Sequence, residues 1–358
     1  MARRPRSKRS LNRIRIELTC LPAGRQGKFK PAKIYKCYNG VMKIVVTHNS
    51  PDMDAITSVW LIKRFLPGWN EAGVKYVPAG ERLRESKVES PAKGEARQGR
   101  QISNLKFPIE ENGGDEVIHV DTGLGPLDHH QTSSDKVCGA SLTWDYVRIQ
   151  SSEFRIPPVG EAGQNEKIRA KIEAISRIVK VVVDIDHFKE VFWKDAIADY
   201  HEFSLVNILD GLKIQKPDQD EVYTEFVISC LDAVLHEFEN RIWAEREIEN
   251  NGKEFKTRFG KAMGFETLND TVIKLAQKMG YVLVLRKDPR KGYVRIKASP
   301  GSKINLTLAY EQLKKIDPDA TWFLHISKKM LLNGSVKNPK MRPSRLSLGE
   351  IIEVLKKV

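Results

Sequence analysis

At 358 residues the chain can bury two cores, and 41% apolar with 30% charged residues describes a globular protein rather than a fibrous or fully disordered one. No apolar run reaches the length of a bilayer span, and no apolar segment follows the basic N-terminus as it does in a secretory signal. The net charge of +14 invites an anionic partner, but up to Lys43 thirteen Arg or Lys stand against the single Glu17, and the remaining 315 residues carry only about +2. Four cysteines, Cys20, Cys37, Cys138 and Cys230, lie at no redox or metal-binding spacing and fit a reducing cytoplasm.

The leader, residues 1–41, has no sustained periodicity and is expected to be disordered. It reads either as a basic arm holding nucleic acid loosely or as non-native sequence ahead of a domain that starts at Met42. Residues 42–48 then read as a strand, 56–67 as a helix, 74–80 as a second strand and 116–121 as a third. ASLTWDYVRI, 140–149, opens another helix, and KIRAKIEAISRIVKVVV, 167–183, is a helical stretch running up to an aspartate. LPAGRQG in the leader and SPAKGEARQG, 90–99, echo one another and read as inserted surface loops. The alternation predicts an α/β domain over 42–215, with a mainly parallel sheet and helices on both faces. An amphipathic connecting helix over roughly 220–249, within a linker spanning 216–254, leads to a smaller, basic α+β domain over 255–358.

Polar residues gather where apolar strands stop. THNSPDMDA supplies His48, Asp52 and Asp54; HVDTG supplies Asp121; DHHQ follows with Asp128, His129 and His130; VVVDIDHF carries Asp184 and Asp186. Any one aspartate after a strand is most simply a turn or helix-cap residue. Carboxylates gathered at one sheet edge, however, repel one another unless cations sit among them. Mixed carboxylates and imidazoles suit Mn²⁺ or a similar borderline ion, and a shared acid between two ions gives a two-metal clamp on phosphoryl oxygens. A dinucleotide or P-loop site is excluded, because neither glycine signature occurs and KVCGAS, 136–141, holds a lone glycine.

HNSPDMD, VDTG, DHHQ and VVVDIDHF resemble, in that order, the four motifs of the DHH phosphoesterase superfamily. Its members include RecJ-type single-strand exonucleases, oligoribonuclease–phosphatases, cyclic-dinucleotide phosphodiesterases and manganese family II pyrophosphatases. The resemblance covers residues 42–215 and implies two Mn²⁺ ions, with Mg²⁺ or Co²⁺ as substitutes. It places His48 and Asp52 on one ion, Asp54 on the other, Asp121 between them, and His129 on the second. His130 faces the substrate phosphate, with Asp128 as its partner. Of the fourth motif the likeness favours Asp184, because Phe188 stands four residues on; Asp186 stays open, and His187 is either an additional ligand or a surface residue.

The second domain lacks the glycine-rich motif and histidine that nucleotide-cleaving relatives carry. Arg295, His325, Lys328, Lys329 and Lys337 are the candidate substrate-binding residues in its place. Tyr281, Tyr293, Tyr310 and Trp322 are spaced as packing requires, and Asn333-Gly334 reads as a turn. The expected function is two-metal hydrolysis of phosphodiester bonds in short or single-stranded oligonucleotides, or in a nucleotide-like substrate. The rivals are a small-phosphate hydrolase such as a manganese pyrophosphatase, and a non-catalytic nucleotide- or nucleic-acid-binding protein on the same scaffold. No membrane is expected as a partner, and the oligomeric state stays open, a dimer included.

Overall fold

The computed structural model describes residues 14–16, 34–36, 41–83, 108–157, 162–334, 338 and 340–357. The echoing segments 21–27 and 90–99 lie outside these. The leader contributes strands β1 (Ile14–Ile16) and β2 (Ile34–Lys36), paired antiparallel with Arg15 opposite Tyr35, where no periodic structure was expected. The chain forms two compact units, residues 1–236 and 237–358, and among the described residues no helix is long and apolar enough to cross a membrane.

The first unit is built on β3 (Lys43–His48), β4 (Gly73–Val77), β5 (Ile109–Asn112) and β6 (Asp115–His119), in the order β4-β3-β6-β5. β3 runs parallel to both β4 and β6, while β5 closes the edge antiparallel to β6. Alternate residues serve different faces: Ile44 and Val46 cluster with Met42, Val77, Val117 and Leu83. Among the described residues this cluster contains no helical side chain, so it gives no sign of the helices expected on both faces. Helices α1 (Met53–Phe65), α2 (Gly139–Gln150) and α3 (Ala162–Asp186) pack on one another, and α1 packs against β3. α1 starts three residues earlier than its apolar pattern predicts because Asp52 caps it, the carboxylate accepting from the Ala55 amide at 2.9 Å. α4 (Leu205–Gln215) follows, held at its start by the Ser204 hydroxyl.

α5 (Asp220–Asn251) is the predicted connecting helix, but the boundary between units falls within it, not beyond it. The second unit carries β7 (Lys253–Thr257), β8 (Gly260–Glu266), β9 (Leu283–Lys287), β10 (Val294–Ala298), β11 (Trp322–Leu324) and β12 (Met330–Asn333) in one sheet of order β11-β12-β10-β9-β8-β7. α7 (Thr307–Ile316) and α8 (Leu348–Leu355) cover one face, where Leu285, Ile296, Leu331 and Trp322 are buried. On the other face α6 (Thr271–Lys278) and the end of α5 bury Met263, Phe265 and Val284.

Asn333 is no turn residue. It is fully buried at the end of β12; its amide donates to the Thr321 and Arg342 carbonyls at 2.9 and 3.0 Å, and its oxygen accepts from the Ser344 amide at 2.8 Å. Asn333→Ala removes three hydrogen bonds to the backbone, of whose partners the Arg342 carbonyl keeps the Thr321 amide, and costs about 2 kcal/mol; a urea titration of the second unit's unfolding reads this as a lower midpoint.

Candidate metal centre

In the parallel ladder Val46 lies opposite His119. Two residues further along each chain, His48 and Asp121 therefore come level at the strands' carboxyl ends, where open α/β sheets place their sites. The His48 Nδ1 lies 2.9 Å from the Asn49 carbonyl, which can only accept. In the neutral ring that fixes the hydrogen on Nδ1 and leaves the Nε2 lone pair facing Asp121 Oδ2 at 3.3 Å and Asp52 Oδ2 at 3.9 Å. Asp52 thus does two jobs, one oxygen capping α1 and the other facing the imidazole.

Asp121 has φ of +50°, a conformation that costs most residues and that Asp and Asn accept most readily. The turn behind it is organised by Asp128, whose buried carboxylate accepts from the Leu124 amide at 2.7 Å and from the His130 amide at 3.0 Å. The same carboxylate takes the His130 Nδ1 at 2.7 Å, while 57% of that ring stays exposed. His129 turns its Nε2 to Asp121 Oδ1 at 3.4 Å and to Asp54 Oδ2 and Asp186 Oδ2, both at 3.7 Å. The two oxygens of Asp121 therefore face two different histidines.

Asp54, in the first turn of α1, accepts from the Gly139 and Ala140 amides at 2.7 and 2.6 Å, so the start of α2 is anchored on it. Gly139 is required there, since a Cβ would stand 2.9 Å from both Asp121 Cβ and Asp54 Oδ2. The Cys138 thiol also bonds to Asp54, and burial holds that thiol protonated. Neither residue stood out in the sequence; the run of small residues in CGAS at a helix start was the available signal. The turn of Asn49 and Ser50 is held from outside, the Ser50 amide donating to Asp220 at 3.0 Å and Lys213 donating to the Ser50 carbonyl at 3.1 Å.

Three overlapping groups of side chains can hold a metal ion: His48 with Asp52 and Asp121, Asp121 with His129 and His130, and His129 with Asp186 and His187. Separations of 3.3–3.9 Å are too long for strong hydrogen bonds. They match the spacing of about 3.4 Å between neighbouring ligands that each sit about 2.1 Å from one ion. Asp121 Oδ1 and Asp186 Oδ2 are buried with no hydrogen-bond partner among the described residues, as ligand atoms require. Asp52, Asp54, Asp121 and Asp186 together bring four carboxylates to two imidazoles. Like charges 4 Å apart repel by about 4 kcal/mol at an effective dielectric of 20, a cost that two divalent ions would remove.

Protonation reflects this crowding. Burial alone would depress His48, but Asp121, the Asn49 carbonyl and Asp52 raise it to about 9. His129 is raised to about 9, chiefly by Asp121 against its burial. Burial and then Asp121 push Asp54 well above the carboxylate range, and burial likewise raises Asp186. Asp121, despite burial, is held low by His129 and His48 and stays ionised.

The fourth-motif preference for Asp184 is corrected. Asp186, not Asp184, joins the cluster. Two helical residues turn the backbone by about 200°, so only one of the pair can face inward. Asp186 continues the buried stripe of Val182 and Val183, whereas Asp184 follows exposed Lys180 by four. His187 Nε2 donates to the Val137 carbonyl at 3.0 Å and stands 3.6 Å from Asp186, which suits a positioning role. Of the basic candidates in the second unit, Lys329 is committed to the Ser302 and Ile304 carbonyls, and Arg295 pairs with Asp270. His325 Nδ1 lies 2.8 Å from the Ser327 hydroxyl, Lys328 is exposed, and Lys337 lies outside the described residues.

Asp186→Asn should weaken Mn²⁺ binding at least about tenfold, while Asp184→Asn leaves it unchanged, both read by calorimetric titration. Because metal-free His48 and His129 keep their protons until about pH 9, an ion must displace them. Affinity for Mn²⁺ accordingly rises between pH 6 and 9 by about tenfold per pH unit for each proton released, and titration in buffers of different ionisation enthalpy counts those protons. Compared with protein-family models and with curated proteins, the chain matches none.

Proposed function

We propose that the chain is a two-metal phosphoesterase of the DHH type, hydrolysing phosphodiester bonds in short or single-stranded oligonucleotides or a nucleotide-like substrate. The observation that carries this reading is Asp121, whose Oδ2 and Oδ1 face His48 and His129 at 3.3 and 3.4 Å, the arrangement of a ligand shared by two ions. His48, Asp52 and Asp121 would hold one ion; Asp121, His129 and Asp186 the other, with Asp54 bracing α2 beside them. Divalent ions bound there supply a water of lowered pKa and offset the charge of the phosphoryl oxygens.

The remaining chemistry belongs to the chain. His130 is exposed on one side and fixed on the other by Asp128, a pairing that orients the imidazole. Its Nε2 has no partner among the described residues, and in the protonated ring it would bind a phosphate oxygen and pass its proton to the leaving oxygen. The anchored start of α2 and the left-handed turn at Asp121 keep the carboxylates from relaxing apart, so their positions are set before substrate arrives.

Asp121→Asn tests this reading, because asparagine tolerates the same backbone while losing the bridging charge. The variant should fold as the parent does and lose at least about 10³-fold in Mn²⁺-dependent turnover of a 5′-labelled single-stranded oligonucleotide or of a dinucleotide. Parental turnover in the variant rejects the two-metal reading, and turnover of pyrophosphate alone moves the activity to the small-phosphate class.

A further inference from the structure

The second unit carries 25 Lys or Arg against 14 Asp or Glu, a net +11 that is not a property of the leader. Part of this charge is arranged on one sheet face. Cross-strand register places Arg286 opposite Arg295, Arg295 opposite Leu332, and Leu332 opposite Phe323, a straight row over four strands. The next row in the same sense runs Val284, Lys297 and Met330, and the His325 amide bonds to the Met330 carbonyl beyond them. This is the face that α6 and α5 cover over β8 and β9. Among the described residues, the buried cluster there includes nothing from β10, β11 or β12.

Like charges directly opposite in a ladder are destabilising without a counter-ion. Asp270 answers part of this, pairing with Arg286 at 2.7 Å and with Arg295. Asp288 adds its attraction for Arg286, which leaves two carboxylates for three cations. Among the described residues the Lys297 ammonium has no side-chain partner, and its proton is held less tightly because of burial and the neighbouring Arg295 and Arg286. Two strands further on, Phe323 is 50% exposed although its neighbour Trp322 is buried on the opposite face. Strand spacing of about 4.8 Å puts the backbone of Phe323 about 10 Å from that of Arg295. That interval fits a nucleotide lying across the strands, with its phosphate at the cations and its base on the ring.

The geometry points to a single-stranded nucleic-acid platform on the β10–β12–β11 face, with Arg295 and Lys297 taking backbone phosphates and Phe323 stacking a base. It deepens the phosphoesterase reading by narrowing its substrates to single strands and assigning the face that holds them, and rests on that reading only for the fate of the bound strand. A sheet face that sets cations beside apolar side chains and one exposed aromatic suits a strand whose bases are unpaired, and offers a duplex nothing to stack on.

The test is fluorescence anisotropy of a labelled twelve-nucleotide single strand with the full chain in EDTA, so that no metal chemistry enters. Phe323→Ala, which alters no charge, should weaken binding about tenfold. Lys297→Gln, which orphans no partner, should weaken it several-fold and reduce the slope of log Kd against log salt by about 0.7, one phosphate on a single strand. Lys315→Gln on α7 and Asp121→Asn should both bind as the parent does. Parental affinity in Phe323→Ala and Lys297→Gln, or a duplex or mononucleotide held as tightly as the single strand, overturns the platform. Loss of turnover in Asp121→Asn with strand binding intact leaves it standing, which separates its failure from that of the metal reading.

Discussion

The parallel register between β3 and β6 is the constraint on which the rest depends. It fixes His48 and Asp121 side by side at the end of two buried strands, and every other member of the centre is recruited to that pair. A slip of one residue would turn Asp121 toward the opposite face of the sheet, so the pairing that buries Ile44, Val45 and Val46 sets the site as well as the core. The turn after β6 then reverses direction through left-handed residues at Asp121, Gly123 and Leu124, bringing His129 to the second oxygen of Asp121. Strain of this kind persists only where surroundings over-determine it, and here Asp128 does so with three hydrogen bonds.

Much of this was legible because strand ends leave a strong signal. An apolar run stopping at a histidine or aspartate located His48 and Asp121 without any knowledge of their neighbours; β3, α1, β4, β6, α2 and α3 lie within a few residues of their expected positions, whereas β1, β2, β5 and α4 were not anticipated. Asp52 was readable as a cap and as a cluster member, and it is both, because a carboxylate has two oxygens. Asp184 against Asp186 was decidable too: continuing the buried spacing of Val179, Val182 and Val183 leads to Asp186, while the family pattern of an aspartate and a later aromatic led elsewhere. Phe188, the aromatic in question, sits with positive φ just past the end of α3 and is largely exposed.

Other parts had no local signal. Gly139 matters through what lies 2.9 Å from its missing side chain, a fact of tertiary approach and not of sequence spacing. Lys213 and Asp220 brace the His48 turn from more than 160 residues away. Phe323 and Trp322 are adjacent aromatics with opposite fates, and only strand register says which one faces outward. The basic character of the second domain was legible from its residues, but the alignment of its cations on one sheet face was not.

The continuity of α5 bears on how the chain can be cut. This helix of 32 residues begins at Asp220, which steadies the turn beside His48, and ends within the core of the second unit, where Ala244 and Ile248 are buried. A truncation at the unit boundary severs it in mid-helix: the second unit keeps the stretch that shields Met263 and Phe265, but that stretch then starts at Glu237 without the preceding turns. A truncation after Asn251 keeps the helix whole but leaves its last turns exposing apolar side chains to water. Neither cut leaves a clean edge, so proteolytic nicking within this helix is expected to destabilise the unit whose share of it is shortened.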